Sequence, residues 1–163
     1  MLVEHLQNYH LQFQSVKAEA SDLLGDLTEI QFNWQPGPGR WSIAQCLDHL
    51  LVTGGNSLAN IHRAINEARS MGSFGQGPFR YGVIEKWFVR QMEPGARMRF
   101  KAPKMYMPSE DGLDAEIVAS FYRLQEEFLQ CIEQANVIDL SKTKVSNAVS
   151  RWFRLSLGSR AGI

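Results

Sequence analysis

Cysteine is scarce: Cys46 and Cys131 are the only two in a chain of 163 residues, too few for the disulfide framework of a small secreted domain. They stand far apart, each inside a helical pattern beside core positions and not in a CxxC pair. The reading is two buried free thiols, with a reactive cysteine or a disulfide as the alternative. Long apolar runs are missing as well, and none approaches the ~20 residues of a membrane-spanning helix. No charged n-region precedes an apolar h-region at the N-terminus. A soluble cytoplasmic protein is expected. Net charge is also lacking, since 17 basic and 17 acidic residues cancel. No overall field favours nucleic acid or an anionic membrane as a partner. GxSxG, P-loop and HExxH signatures are absent. Gly72, Gly75 and Gly77 are irregularly spaced after a helix and do not make a phosphate loop. Trp87, Phe88, Phe100 and Tyr106 are expected to pack and not to stack bases.

What the chain does have is helical periodicity. Hydrophobic content of 44% over 163 residues supports one compact domain with a core. Leu2, Leu6, Tyr9, Phe13, Val16, Ala20, Leu23 and Leu27 recur in steps of three and four, predicting a first helix over about 2–30. Pro36, Gly37, Pro38 and Gly39 cannot continue it. Ser42 with Gln45 then forms a capping-box pattern, flanked by Trp41 and Cys46 as a hydrophobic staple, and opens a second helix over about 42–70. Its apolar face is Ile43, Leu47, Leu50, Gly54, Leu58, Ile61, Ile65 and Ala68. Gly54 and Gly55 each cost ~1 kcal/mol against alanine, which points to close approach of a neighbouring helix or a bend.

The glycine-rich stretch 71–78 breaks the pattern. A short helix is predicted over about 82–91 and a proline-punctuated strap over 93–108. Residues 80–104 carry Arg80, Lys86, Arg90, Arg97, Arg99, Lys101 and Lys104 against Glu85 and Glu93. These read as solvated faces or as a rim that attracts anions. Ile117, Phe121, Leu124, Phe128, Ile132 and Ala135 predict a third long helix over about 113–136. The connection before it, about 40 residues, far exceeds the roughly 2 to 8 that join antiparallel neighbours in a bundle. It implies a crossover and a parallel pair. A polar loop, the apolar residues Trp152, Phe153, Leu155 and Leu157, and the start of a fourth helix near 157 complete the predicted order. Three amphipathic helices call for a fourth to close their core. The expectation is an all-α bundle in which that helix is absent or only begun.

Among the four histidines, His49 is the best candidate for chemistry. It falls roughly 60° outside the apolar stripe of its helix, at the core's edge. His5 and His10 lie about 140° apart on a helix, unlike the i, i+3 or i, i+4 relation of a metal pair. His62 stands about 20 Å along the axis from His49. Asp48 is expected to face solvent.

The order of these features resembles the DinB/YfiT-like superfamily of four-helix-bundle metalloproteins. The residues that carry the resemblance are Trp34, Pro38, Arg40, Trp41 and Ser42 leading to His49 and Leu50, then Lys101, Pro103, Lys104 and Pro108 in the strap. The stretch from Asp139 to Arg160 is similar to the family's approach to its fourth helix. The resemblance implies a DinB-like fold and a divalent metal, zinc or nickel, held by three histidines. Only His49 matches among the residues given, and two further histidines are expected beyond Ile163. It also implies homodimers and a metal-dependent thiol transferase or hydrolase reaction, in which the ion lowers the pKa of a thiol or water. A small anionic or thiol substrate would fit a positive rim. The alternative is a non-catalytic bundle that binds a small ligand or protein partner without metal.

Overall fold

The computed structural model describes residues 2–75, 103–109, 114, 116–146 and 154–157. Among these, the chain is a helical bundle. α1 spans Glu4–Leu24, the short α2 spans Glu29–Asn33, α3 spans Ile43–Ser70 and α4 spans Glu116–Ala135. A single 3-10 turn, Lys104–Tyr106, lies in the strap.

The first helix ends earlier than its periodicity predicts. Gly25 closes α1 and donates its N–H to the Ser21 carbonyl. Thr28 then caps α2 through a second capping box, its hydroxyl accepting from Gln31 N–H while its own N–H donates to Gln31 Oε1 at 2.9 Å. The inner face of α1 also differs from the predicted one, because Val16 and Leu23 are exposed. Leu2, Leu6, Tyr9, Phe13, Ala20 and Leu27 pack inward as predicted, and Leu24 takes the place of Leu23. Lys17, half-exposed beside this face, pairs with Glu126 of α4.

Ahead of α3, the Pro-Gly turn closes with Arg40 N–H bonded to the Gly37 carbonyl at 3.0 Å, and Gly39 adopts φ +70°. Ser42 caps α3 as predicted. Its hydroxyl accepts from Gln45 N–H at 3.1 Å, and Gln45 Oε1 accepts from Ser42 N–H at 3.1 Å. The far end is a Schellman turn: Ser73 N–H reaches the Ala68 carbonyl at 2.8 Å and Gly72, at φ +65°, bonds to Arg69. On α3, Leu51 packs inward and Leu50 is exposed, the reverse of the predicted assignment of position 50.

Side-chain levels fix the helix directions. A Cβ on Gly54 would lie 2.6 Å from Leu124, His62 meets Cys131, and Arg69 donates to the Gln134 carbonyl at 3.1 Å. α3 and α4 therefore run parallel, as the long crossover implied. α1 runs against both, with Phe13 stacked on Phe128 at 5.0 Å and Val3 N–H bonded to Asn136 Oδ1 at 2.8 Å.

Two core clusters result. Phe32, Ala44, Leu47, Ile117 and Phe121 fill the end near the start of α3. Leu58, Ile65, Leu124 and Ile132 belong to the larger one, which extends to Ile138, Leu140, Val145 and Leu157. Those last residues come from a part read in the sequence as a polar loop followed by an apolar patch. It holds an antiparallel hairpin instead, β1 Lys144–Ser146 with β2 Arg154–Ser156, in which Val145 pairs with Leu155. A bridge between Phe74 and Ile138 and the bond from Asp139 N–H to the Ser73 carbonyl fasten this end to the exit of α3. The hairpin thus closes the end of the bundle away from His49. The predicted helix over 82–91, Trp152 and Phe153, and the fourth helix beyond Leu157 lie outside the described residues.

Candidate functional site

The described part of the strap, residues 103–109, lies along the first two turns of α3. Tyr106 N–H closes the 3-10 turn on the Pro103 carbonyl at 2.8 Å. This turn buries the Tyr106 side chain and leaves Met105 and Met107 exposed on either side. Three side chains of α3 then hold the strap's backbone. Asp48 Oδ2 accepts from Ser109 N–H at 2.7 Å, Gln45 Nε2 donates to the Ser109 carbonyl at 3.3 Å, and His49 Nδ1 stands 2.6 Å from the Tyr106 carbonyl. Positions 45, 48 and 49 share one helical face because residues three and four apart are neighbours.

The partner of His49 sets its tautomer. A carbonyl oxygen can only accept, so Nδ1 must carry the hydrogen, and in the neutral ring the lone pair then belongs to Nε2. The Trp41 ring lies 5.0 Å from the imidazole, tilted by 45°, and shields one side of it. A histidine that donates one N–H to a backbone carbonyl and leaves the other nitrogen basic is arranged as metal-bound histidines are. His49 therefore fits the part of one ligand.

The other expectations are met unevenly. Among the described residues no group of three His, Cys, Asp or Glu side chains is placed to hold a metal ion. One donor cannot hold an ion by itself. His10 faces Glu133 at 3.7 Å, a rim contact between α1 and α4, and the His5 side chain lies outside the described set. His62 contacts the Cys131 sulfur through its ring edge, Nε2 at 3.4 Å, remote from His49. Cys131 is buried as predicted, and burial, reinforced by the nearby Glu127 charge, pushes its thiol up to about 11. Cys46 departs from the prediction. It is exposed on the outer side of α3 and is not a buried staple partner, although partial burial still raises its thiol above the usual range. Asp48 also departs: its carboxylate clasps the strap. Apart from Pro103 and Lys104, the basic segment 80–104 lies outside the described residues. A shallow groove between α1 and α4, crossed by the Lys17 and Glu126 pair, contains none of these candidates.

The grip of Gln45 and Asp48 was missed from sequence. Its signal was three polar side chains on one helical face near an irregular segment whose backbone groups needed partners.

A helical bundle with a parallel α3 and α4, a long crossover that returns as a strap, and a histidine near the start of α3 define the class of protein. The chain belongs to the DinB superfamily, whose family model matches residues 12–162. No curated protein and no solved structure was significantly similar to it. Among the described residues, no helix is long and apolar enough to cross a membrane.

Proposed function

We propose that this DinB-superfamily protein binds a divalent metal, zinc or nickel, through Nε2 of His49, with its further ligands supplied from outside the described residues. The observation that supports this reading is the 2.6 Å contact between His49 Nδ1 and the Tyr106 carbonyl. It commits the ring to the tautomer a metal requires, without using the coordinating nitrogen. A bound divalent ion would supply Lewis acidity toward a thiol or water, consistent with a thiol transferase or hydrolase acting on a small anionic substrate. Homodimer assembly and a cytoplasmic location extend the same reading.

A second reading takes its support from the same contact together with the small donor set. Here His49 is a structural clasp in a bundle that binds a small ligand or protein partner without metal. Metal analysis of protein expressed from its complete reading frame separates the two. After loading and dialysis, the first reading expects about one bound equivalent per chain, lost in His49→Ala with the helical fold retained. A wild-type protein that retains no metal, or a His49→Ala variant that keeps its equivalent, overturns it.

A further inference from the structure

Side chains of α3 bind the strap's backbone at Tyr106 and at Ser109, and the second contact bears on the chemistry of the first. All three contacts from Gln45, Asp48 and His49 go to backbone atoms of Tyr106 and Ser109. These polar contacts therefore depend on where the strap's backbone runs, while the buried Tyr106 side chain packs beneath it. The buried Tyr106 side chain and the His49 contact anchor the strap at one residue. A second anchor at Ser109, three residues on, fixes its direction and so the aim of the Tyr106 carbonyl.

We infer that Asp48 is a positioning residue for His49. Its carboxylate holds Ser109 N–H, which keeps the Tyr106 carbonyl on the Nδ1 proton and the lone pair on Nε2. Asp48 supplies the shorter of the two bonds at Ser109, 2.7 Å against 3.3 Å for Gln45. Gln45 supports it from a fixed orientation. Its Oε1 already accepts from Ser42 N–H and from Gln35 Nε2 at 2.9 Å, so its amide nitrogen must point to the Ser109 carbonyl. The α3 capping box thereby extends to the strap. The Trp41 ring packs near His49 but favours neither tautomer. The significance of the inference rests on the metal-ligand reading, while the hydrogen-bond relay itself needs no metal.

The test uses metal-free protein at pH 8, above the ordinary imidazole pKa of about 6.5. Long-range nitrogen-15 NMR of the His49 ring is compared in wild type, Asp48→Ala and Asp48→Asn. Trypsin cleavage after the exposed Lys104 reports the strap. Wild type is expected to show a single Nδ1–H tautomer. Asp48→Ala should show both tautomers in exchange and cleavage after Lys104 faster by about tenfold, because proteolysis follows the population of the released strap. Asp48→Asn, whose amide oxygen can still accept from Ser109 N–H, should behave as wild type does. An Asp48→Ala ring that keeps the single Nδ1–H form, a wild-type ring protonated on Nε2, or an Asp48→Asn variant as loose as Asp48→Ala overturns the inference. Because no metal is present, these outcomes are independent of whether His49 binds one.

Discussion

A histidine can give a metal only the nitrogen that does not hold its proton, so the neighbour on the other nitrogen decides what the ring can do. In this protein that neighbour is the Tyr106 carbonyl. His49 could be found in the sequence because it follows a recognisable capping box on an amphipathic helix. Its partner could not, since the carbonyl belongs to a segment 57 positions away along the chain. The same limit explains Asp48 and Cys46. Helical spacing locates each side chain on its helix, but only the path of the strap decides what covers it. The two cysteines now make a prediction of opposite reactivity. At pH 8 a thiol reagent should modify Cys46 in the native protein and leave Cys131 untouched. Both thiols are shifted upward, so Cys46 labelling should still be accelerating above the usual thiol pKa. Cys131 stays protonated until near pH 11 and becomes reactive only on unfolding. Native modification of Cys131 at the rate of Cys46, followed by mass spectrometry, would contradict this.

Among the elements, α4 and the start and stop of α3 were legible, because capping box, apolar spacing and terminal glycine all agree there. α1 was less so. Its apolar residues Leu11, Val16 and Leu23 face out, so period alone chose the wrong face at Val16 and Leu23. The Thr28 and Gln31 box was visible but obscured by a pattern that continued through Gly25. The glycines of α3 separate helix propensity from packing. Gly54 backs directly onto Leu124, whereas a Cβ on Gly55 would meet nothing within 4 Å. Gly54→Ala should destabilise by about 1–3 kcal/mol, since Leu124 must leave its packed position, partly offset by the gain in propensity. Gly55→Ala should stabilise by about 0.5–1 kcal/mol. Thermal or urea unfolding checks both signs. Equal effects at the two positions would mean that α3 and α4 do not approach at Gly54.

At the scale of the whole molecule, loop length alone revealed the topology: a connection far too long for antiparallel neighbours signalled the parallel α3 and α4. The closing hairpin was not legible, because β1 and β2 are three residues each and carry too few positions for an alternating pattern to emerge. The burial of Val145 comes from contact with the end of the bundle, which no local signal encodes. The two ends of the bundle then differ in character. One is sealed by the apolar Ile138, Leu140, Val145 and Leu157, and the other carries His49, the strap and Trp41. The proposed metal chemistry belongs to the second. The most direct measurement is a zinc titration of nitrogen-15-labelled protein expressed from its complete reading frame, observed at the His49 ring. One equivalent is expected to perturb Nε2 while Nδ1 keeps its proton and its bond to Tyr106. An unchanged His49 ring at saturating zinc, or loss of the Nδ1 proton in place of coordination at Nε2, would contradict it.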